Sequence, residues 1–396
     1  MISSKMQTSM LLYKVWRMWF FILFIFSMYP WFSWNVNPVA VSVITFFISF
    51  VLYTNGGFVE RSYFPPLIVL LVFFIWQARR LNLFGLMNSV CFFISIATLF
   101  CLKEELKIDL IRFVTKWFAI IVGISMLFYI LYLIGVPLPY TSSQMGDSSN
   151  YIFDNYYFFL TKDFAVRFRG PFLEPGHMTM GLAPLLFINR YDFKNPYVLI
   201  LTLAQFLSIS LAGIIVFFVG FFLITYSSAP TIKKAILSTL TIIVIVFFAS
   251  ILVYYFFGRE AIEEEFLARL VFDSDLGTIA GYNRSTDYFD SIYNKVMASS
   301  DKWYGVEVNE DAFEGGVAGY KRFIVENGLI ATFLIIVVYV LLLFQYKGRR
   351  SKQGSLFLIV VLLLLFQNAY PLWWCMLISA ACSLPFMHST NINSSR

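Results

Sequence analysis

Apolar runs about as long as a membrane helix recur along almost the whole chain, each closed by a short polar or proline-bearing stretch. The pattern predicts helical spans over roughly 11–29, 38–54, 64–78, 84–102, 113–135, 176–189, 196–208, 211–227, 235–257, 323–345, 355–369 and 371–387. The stretch 196–227 reads either as one long helix or as two, with a break at Ser208-Ile209-Ser210-Leu211-Ala212-Gly213. Two helices there bring the total to twelve. Lys14 and Arg17 precede the first apolar run, but Met28-Tyr29-Pro30-Trp31 follows it instead of a small-residue cleavage site, so this run reads as an uncleaved span.

Composition agrees with the pattern. The chain is 59% apolar and 13% charged over 396 residues, with a mean hydropathy of +0.75. A soluble domain has too little interior to hide that surface, and only helices bury the backbone of such segments in lipid. The expected class is an all-α polytopic membrane protein in a single membrane domain, with no separate soluble domain.

Charge adds an orientation. With the N-terminus in the cytoplasm, the cytoplasmic segments collect seventeen of the 29 basic residues and five of the 23 acidic ones. That bias is the positive-inside signal. Arg79-Arg80 is a contrary pair on the outer side. The pI near 9.0 is then a mark of topology, and nucleic acid is not an expected partner. Two long connections, 136–175 and 258–322, fall on the outer face, rich in Tyr, Phe and Trp. Loops of that length in a compact protein usually carry function.

The chemistry concentrates there. Arg167-Phe168-Arg169-Gly170-Pro171-Phe172-Leu173-Glu174-Pro175-Gly176-His177 holds two arginines, a carboxylate and one of the two histidines. One reading makes the arginines interfacial anchors and Glu174 a companion of a helix N-terminus. The other makes the segment an anion-binding face, since guanidinium is a permanent planar fork suited to phosphate oxygens. His177 reads as a base or as a cap on the site.

The second loop offers Arg269, Arg284, Gly305, Tyr320, Lys321, Arg322 and Glu326, the last at the mouth of the tenth predicted span. Arg284 is placed on the first turn of an amphipathic surface helix whose apolar face is Tyr288, Phe289, Ile292, Tyr293 and Val296. A cation there suggests a partner anion. Asp273-Ser274-Asp275 reads as solvated loop. Cys91, Cys101, Cys375 and Cys382 lie in or beside apolar runs. They have no metal-ligand spacing, so neither a metal site nor disulfides are expected.

These residues resemble a known family, the O-antigen and capsule repeat-unit polymerases (Wzy-type) within the wider O-antigen polymerase/ligase group. The resemblance is carried by the Arg-Phe-Arg-Gly-x-Phe-x-Glu-Pro-Gly-His segment, by Leu-Ser-Ile-Ser-Leu-Ala-Gly-Ile-Ile at 207–215, and by the outer loop with Arg284, Gly305 and Glu326-Asn-Gly-Leu. It implies a GT-C-like membrane glycosyltransferase of the bacterial inner membrane. About twelve transmembrane helices would carry two large periplasmic loops, with both termini cytoplasmic and no cofactor.

The implied reaction moves a glycan from undecaprenyl diphosphate to the terminal sugar of a new lipid-linked unit. The implied partners are the undecaprenyl-diphosphate-linked oligosaccharide and membrane lipid, with a chain-length regulator as a further candidate. Arg169 and Arg284 match the family's loop arginines, and Arg167, Arg269, Arg322 and Tyr320 join them around diphosphate and acceptor. Glu174 or Glu326 would be the base. The ligase branch carries a histidine in its second large loop and this chain has none there, which favours polymerase. A ligase and a lipid-linked oligosaccharide transporter are the alternatives.

Overall fold

Most of the predicted spans correspond to helices whose ends are set by local chemistry. The computed structural model describes residues 2–54, 64–145, 152–162, 167–228, 231–234, 236–244, 272–273, 278–279, 285–309 and 319–394. The helices are α1 Ile2–Phe26, α2 Pro38–Thr54, α3 Phe64–Ala78, α4 Leu83–Phe100, α5 Glu104–Leu133, α6 Pro175–Ile188, α7 Pro196–Leu207 and α8 Leu211–Ser228. After them come α9 Asp287–Ala298, α10 Gly319–Leu343, α11 Lys352–Gln367 and α12 Trp374–Ser394. Asn82, Asn195 and Ser351 cap α4, α7 and α11, each side chain accepting a backbone N–H of the first turn. Pro175 and Pro196 open α6 and α7, where a missing N–H costs nothing.

The structure is mostly helical and compatible with a helical membrane protein. By length and composition α4, α5, α8 and α10 are each able to cross a membrane, and α2, α3, α7, α11 and residues Trp374–Ser389 of α12 are shorter apolar helices. Leu83, Phe84, Ile75, Phe333 and Phe366 are exposed on the surface, as hydrocarbon surroundings allow and water does not. The stretch 196–227 is broken. Ser208 closes α7, Ile209 takes a left-handed φ of 44°, and α8 starts at Leu211. The predicted span 235–257 is described only as far as residue 244.

Two sets of contacts mark the two ends of the bundle. At one end Arg17 of α1 pairs with Asp109 of α5 at 2.6 Å, Lys347 beyond α10 pairs with Glu104 at 2.8 Å, and Tyr346 stacks on His388 of α12. At the other end lie the turn after α1, the turn after α3, and the approaches to α6 and α10.

The all-α expectation needs one correction. The first long connection carries a three-stranded antiparallel sheet, β1 Thr141–Gln144, β2 Ile152–Asn155 and β3 Leu160–Thr161. In β2 exposed Ile152 and Asp154 alternate with buried Phe153 and Asn155, the period-two pattern of a strand covered on one side. Two-stranded hairpins form at β4 Phe272–Asp273 with β5 Thr278–Ile279, and at β6 Gln345–Tyr346 with β7 Arg349–Arg350. All four cysteines are free; Cys101, Cys375 and Cys382 are buried and Cys91 is half-buried.

Candidate functional site

The Arg167–His177 segment is a folded wedge. The Phe168 N–H donates to Leu207 O at the end of α7 (3.0 Å), and the Leu160 N–H of β3 donates to Gly170 O (2.9 Å). The Trp31 N–H donates to Pro171 O (3.0 Å), and the Leu173 N–H to Tyr29 O (3.0 Å). Phe168 and Phe172 are fully buried on either side of Gly170, whose φ of +57° is left-handed. Arg169 is turned inward with it: the residue is buried, Nη1 donates to Leu173 O at 3.1 Å, and the guanidinium lies 5.2 Å from the centre of the Phe153 ring. Arg169 therefore braces the turn from behind, while Arg167 is half-exposed.

What the wedge presents is Glu174 and His177. Glu174 occupies the N-cap of α6 in an extended conformation, and its side chain does not cap the helix. Its carboxylate is exposed and its charge acts on His177, while its backbone carbonyl accepts the N–H of His177 (3.1 Å) and of Met178 (3.3 Å). The Glu174 side chain thus stands at the helix N-terminus without a capping hydrogen bond. The His177 ring sits edge-on to Trp373 at 5.0 Å and beside Tyr29 at 5.8 Å, and its Nδ1 has no hydrogen-bond partner among the described residues.

The second constellation lies on α10. This helix begins at Gly319, before Tyr320, and breaks at Gly328, whose φ is +82°. Glu326 and Asn327 thus sit just before a kink and not at a helix start, as the apolar run from Phe323 had suggested. The break has a cause. The turn Trp303-Tyr304-Gly305 presses so close that a Cβ on Gly328 would strike the Trp303 carbonyl, and one on Gly305 would lie 2.7 Å from the Glu326 backbone. Arg322 Nε donates to Glu326 Oε1 at 2.8 Å, and Tyr320 stacks on Phe366 at 4.2 Å.

Lys321 reaches Asp290 of α9 at 2.7 Å. Burial alone would raise the Asp290 pKa, but hydrogen bonds from Lys321 and Ser285, with the Lys321 charge, hold it below its ordinary value.

Arg79 and Arg80 fasten this region. The guanidinium of Arg79 stacks 3.9 Å from the centre of Trp76, which itself stacks on Tyr304. Arg79 Nη2 donates to Tyr304 O at 2.7 Å. Arg80 donates to Glu326 O at 2.5 Å and to the carbonyls of Tyr304 and Gly305. Burial lowers the Arg80 pKa and Arg79 adds to this, while Glu307 and Asp301 oppose it. The charge count alone had left this pair unexplained. Carbonyl acceptors far away in the chain leave no mark in a local sequence pattern.

One aromatic bridge joins the two constellations. Trp373 touches His177 and Tyr29 (5.6 Å) and stacks on Tyr370 at 5.5 Å, and the Arg322 guanidinium lies 5.5 Å over the Tyr370 ring. The Tyr29 hydroxyl feels the charge of Arg322. Glu174, His177, Tyr320, Arg322 and Glu326 thus share one end of the bundle. Tyr29, Tyr370 and Trp373 were not anticipated, since nothing marks them among so many aromatics. Arg269 and Arg284 lie outside the described residues. The amphipathic helix is α9, which starts at Asp287 behind the capping hydroxyl of Thr286; it buries Phe289 and Val296 but leaves Tyr288 exposed. Asp273 lies in β4, and Ser274 and Asp275 fall outside the described residues.

Compared with family models, with curated proteins and with solved structures, the chain matches none.

Proposed function

We propose that this chain is an O-antigen or related surface-polysaccharide repeat-unit polymerase, a metal-independent glycosyltransferase of the bacterial inner membrane. In this reading about twelve spans carry both termini in the cytoplasm, and the end that holds Glu174 and Arg322 faces the periplasm. The resemblance quoted above suggests the reaction. The observation that supports it most is the Tyr29–Trp373–Tyr370 bridge, which links His177, beside Glu174, to Arg322 and its partner Glu326.

The chemistry follows from those groups. A hydroxyl of the incoming unit attacks the anomeric carbon of the growing chain. The bond from that carbon to the diphosphate breaks, and undecaprenyl diphosphate leaves with the electron pair. Arg322 stabilises the charge that grows on the leaving oxygen, an effect largest in the transition state. Half-exposed Arg167, with Arg269 and Arg284 of the second loop, contributes further binding. A diphosphate that claims Arg322 also draws it from Glu326 and leaves that carboxylate to accept a proton. Glu174, exposed beside His177, is the first candidate for the base. Arg169 serves as a positioning residue. Aromatic side chains offer flat apolar faces to sugar rings.

The test is a gel of surface polysaccharide from cells lacking the protein, complemented with wild type, Glu174→Gln, Arg322→Ala or Arg169→Ala. The expected null pattern is a ladder collapsed to one repeat unit. Glu174→Gln should slow transfer by roughly 10²–10⁴-fold, the usual worth of a general base. Polymer of normal length left on its carrier would replace the reading with a ligase. Loss of even the single-unit band would replace it with a transporter.

A further inference from the structure

Between α10 and α11 a cleft of about 220 Å³ opens on the flank of the bundle. Ile335, Ile336, Leu362 and Phe366 line it, with Tyr320 and Asn368 at the end nearest the site. Ile336 and Phe366 are 36% and 62% exposed, and Phe333 one turn away is 65% exposed, so the cleft opens onto the apolar surface of the helices. A water-soluble ligand gains little from such walls, whereas a hydrocarbon chain gains along their whole length. The volume suits a stretch of one chain.

The polar end has a distinct chemistry. Arg322, two residues after Tyr320, donates to partly exposed Glu326 and lies over the face of Tyr370. Asn368 Oδ1 accepts the Tyr370 N–H at 3.1 Å, while its Nδ2, a buried donor, has no partner among the described residues. Buried donors of this kind normally find an acceptor. A phosphate oxygen is one, and it complements the Arg322 charge near it.

We propose that the α10–α11 cleft holds the tail of a single-chain, phosphate-headed lipid, its head at Arg322 and Asn368 and its chain between Ile336 and Leu362. That this lipid is the donor's carrier rests on the polymerase reading; the cleft itself does not. The tail then enters sideways from the membrane, and the head arrives beside the Tyr370–Trp373 bridge.

Photolabelling tests this on the full-length protein in nanodiscs of phosphatidylethanolamine and phosphatidylglycerol, with a diazirine-bearing farnesyl diphosphate as probe. Labelled peptides should map to α10 and α11 at the cleft, and excess unlabelled farnesyl diphosphate should cut labelling roughly tenfold, as simple competition requires. Farnesol should compete less, for want of a charged head. Filling the cleft with Leu362→Trp or Ile336→Trp should cut labelling roughly tenfold, since a packed site admits no extra chain; Leu362→Ala should keep it. Label spread over the lipid-facing surfaces of α2, α3 and α4 would overturn the proposal. So would equal competition by farnesol or by added phosphatidylglycerol, which would make the occupant an ordinary membrane chain. The competition arm needs no variant. A labelled cleft with an unchanged ladder in the null strain would remove the polymerase reading and leave the cleft standing, and a collapsed ladder with an unlabelled cleft would do the reverse.

Discussion

Two glycine turns lie at the same end of the bundle and are held in opposite ways. The turn at Gly170 is clamped by buried rings, Phe168 and Phe172, with backbone bonds to three other elements. The paired turns at Gly305 and Gly328 are clamped by arginines, with Arg80 reaching three carbonyl oxygens and Arg79 stacked on Trp76. Apolar clamps are indifferent to pH and anions, whereas guanidinium clamps meet competition from any phosphate that comes near. The first turn is thus built as a floor and the second as a grip that a bound phosphate would disturb.

Several changes would break this contrast, and their sizes should fall in order. Phe172→Ala should cost about 3–5 kcal/mol through the cavity it leaves, read as a lowered Tm of the detergent-solubilised protein. Gly328→Ala should cost about 1–3 kcal/mol from its left-handed backbone alone, and more from the collision with Trp303; an unchanged Tm would refute the close approach. Arg80→Ala should cost about 1.5–3 kcal/mol through lost charged hydrogen bonds and should make the 301–305 segment sensitive to protease, whereas the first turn should stay protected. Loss of protection in both would deny the two turns their separate clamps.

Asp290 sharpens the comparison through pH. Its pKa is depressed in the folded protein, so the stability it adds is complete above the ordinary carboxylate value of 3.8 and fades as pH falls through the lower folded value. Asp290→Asn should flatten that acid dependence by under about 1 kcal/mol, because the pair is partly solvated. A variant as acid-sensitive as wild type would dismiss the Lys321 contact.

Legibility divides along similar lines. The helices were readable as long apolar runs, and α2 and α3 begin and end at the expected residues. The break at Ser208–Ser210 was visible as a polar interruption. The sheet in the first loop went unread, since Thr141–Gln144 and Ile152–Asn155 gain their pattern only by pairing across the loop. Arg169 was readable as a charge beside a glycine turn, but the direction of its side chain depends on Phe153 and Leu173. Glu326 and Gly328 were singled out together, yet the kink between them depends on Trp303 pressing from outside the helix. Local grammar is written along the chain; the grips that assemble the site are made between segments hundreds of residues apart.

The seclusion of the native thiols has a practical consequence. With Cys101, Cys375 and Cys382 shielded, one replacement, Cys91→Ser, leaves a background on which an impermeant maleimide reports a single introduced sulfur. Tyr157→Cys and Arg349→Cys, both at exposed positions, then become flags planted at opposite ends of the bundle. Intact spheroplasts should stain the first and spare the second until they are lysed, and the reverse order would turn the whole molecule over in its membrane.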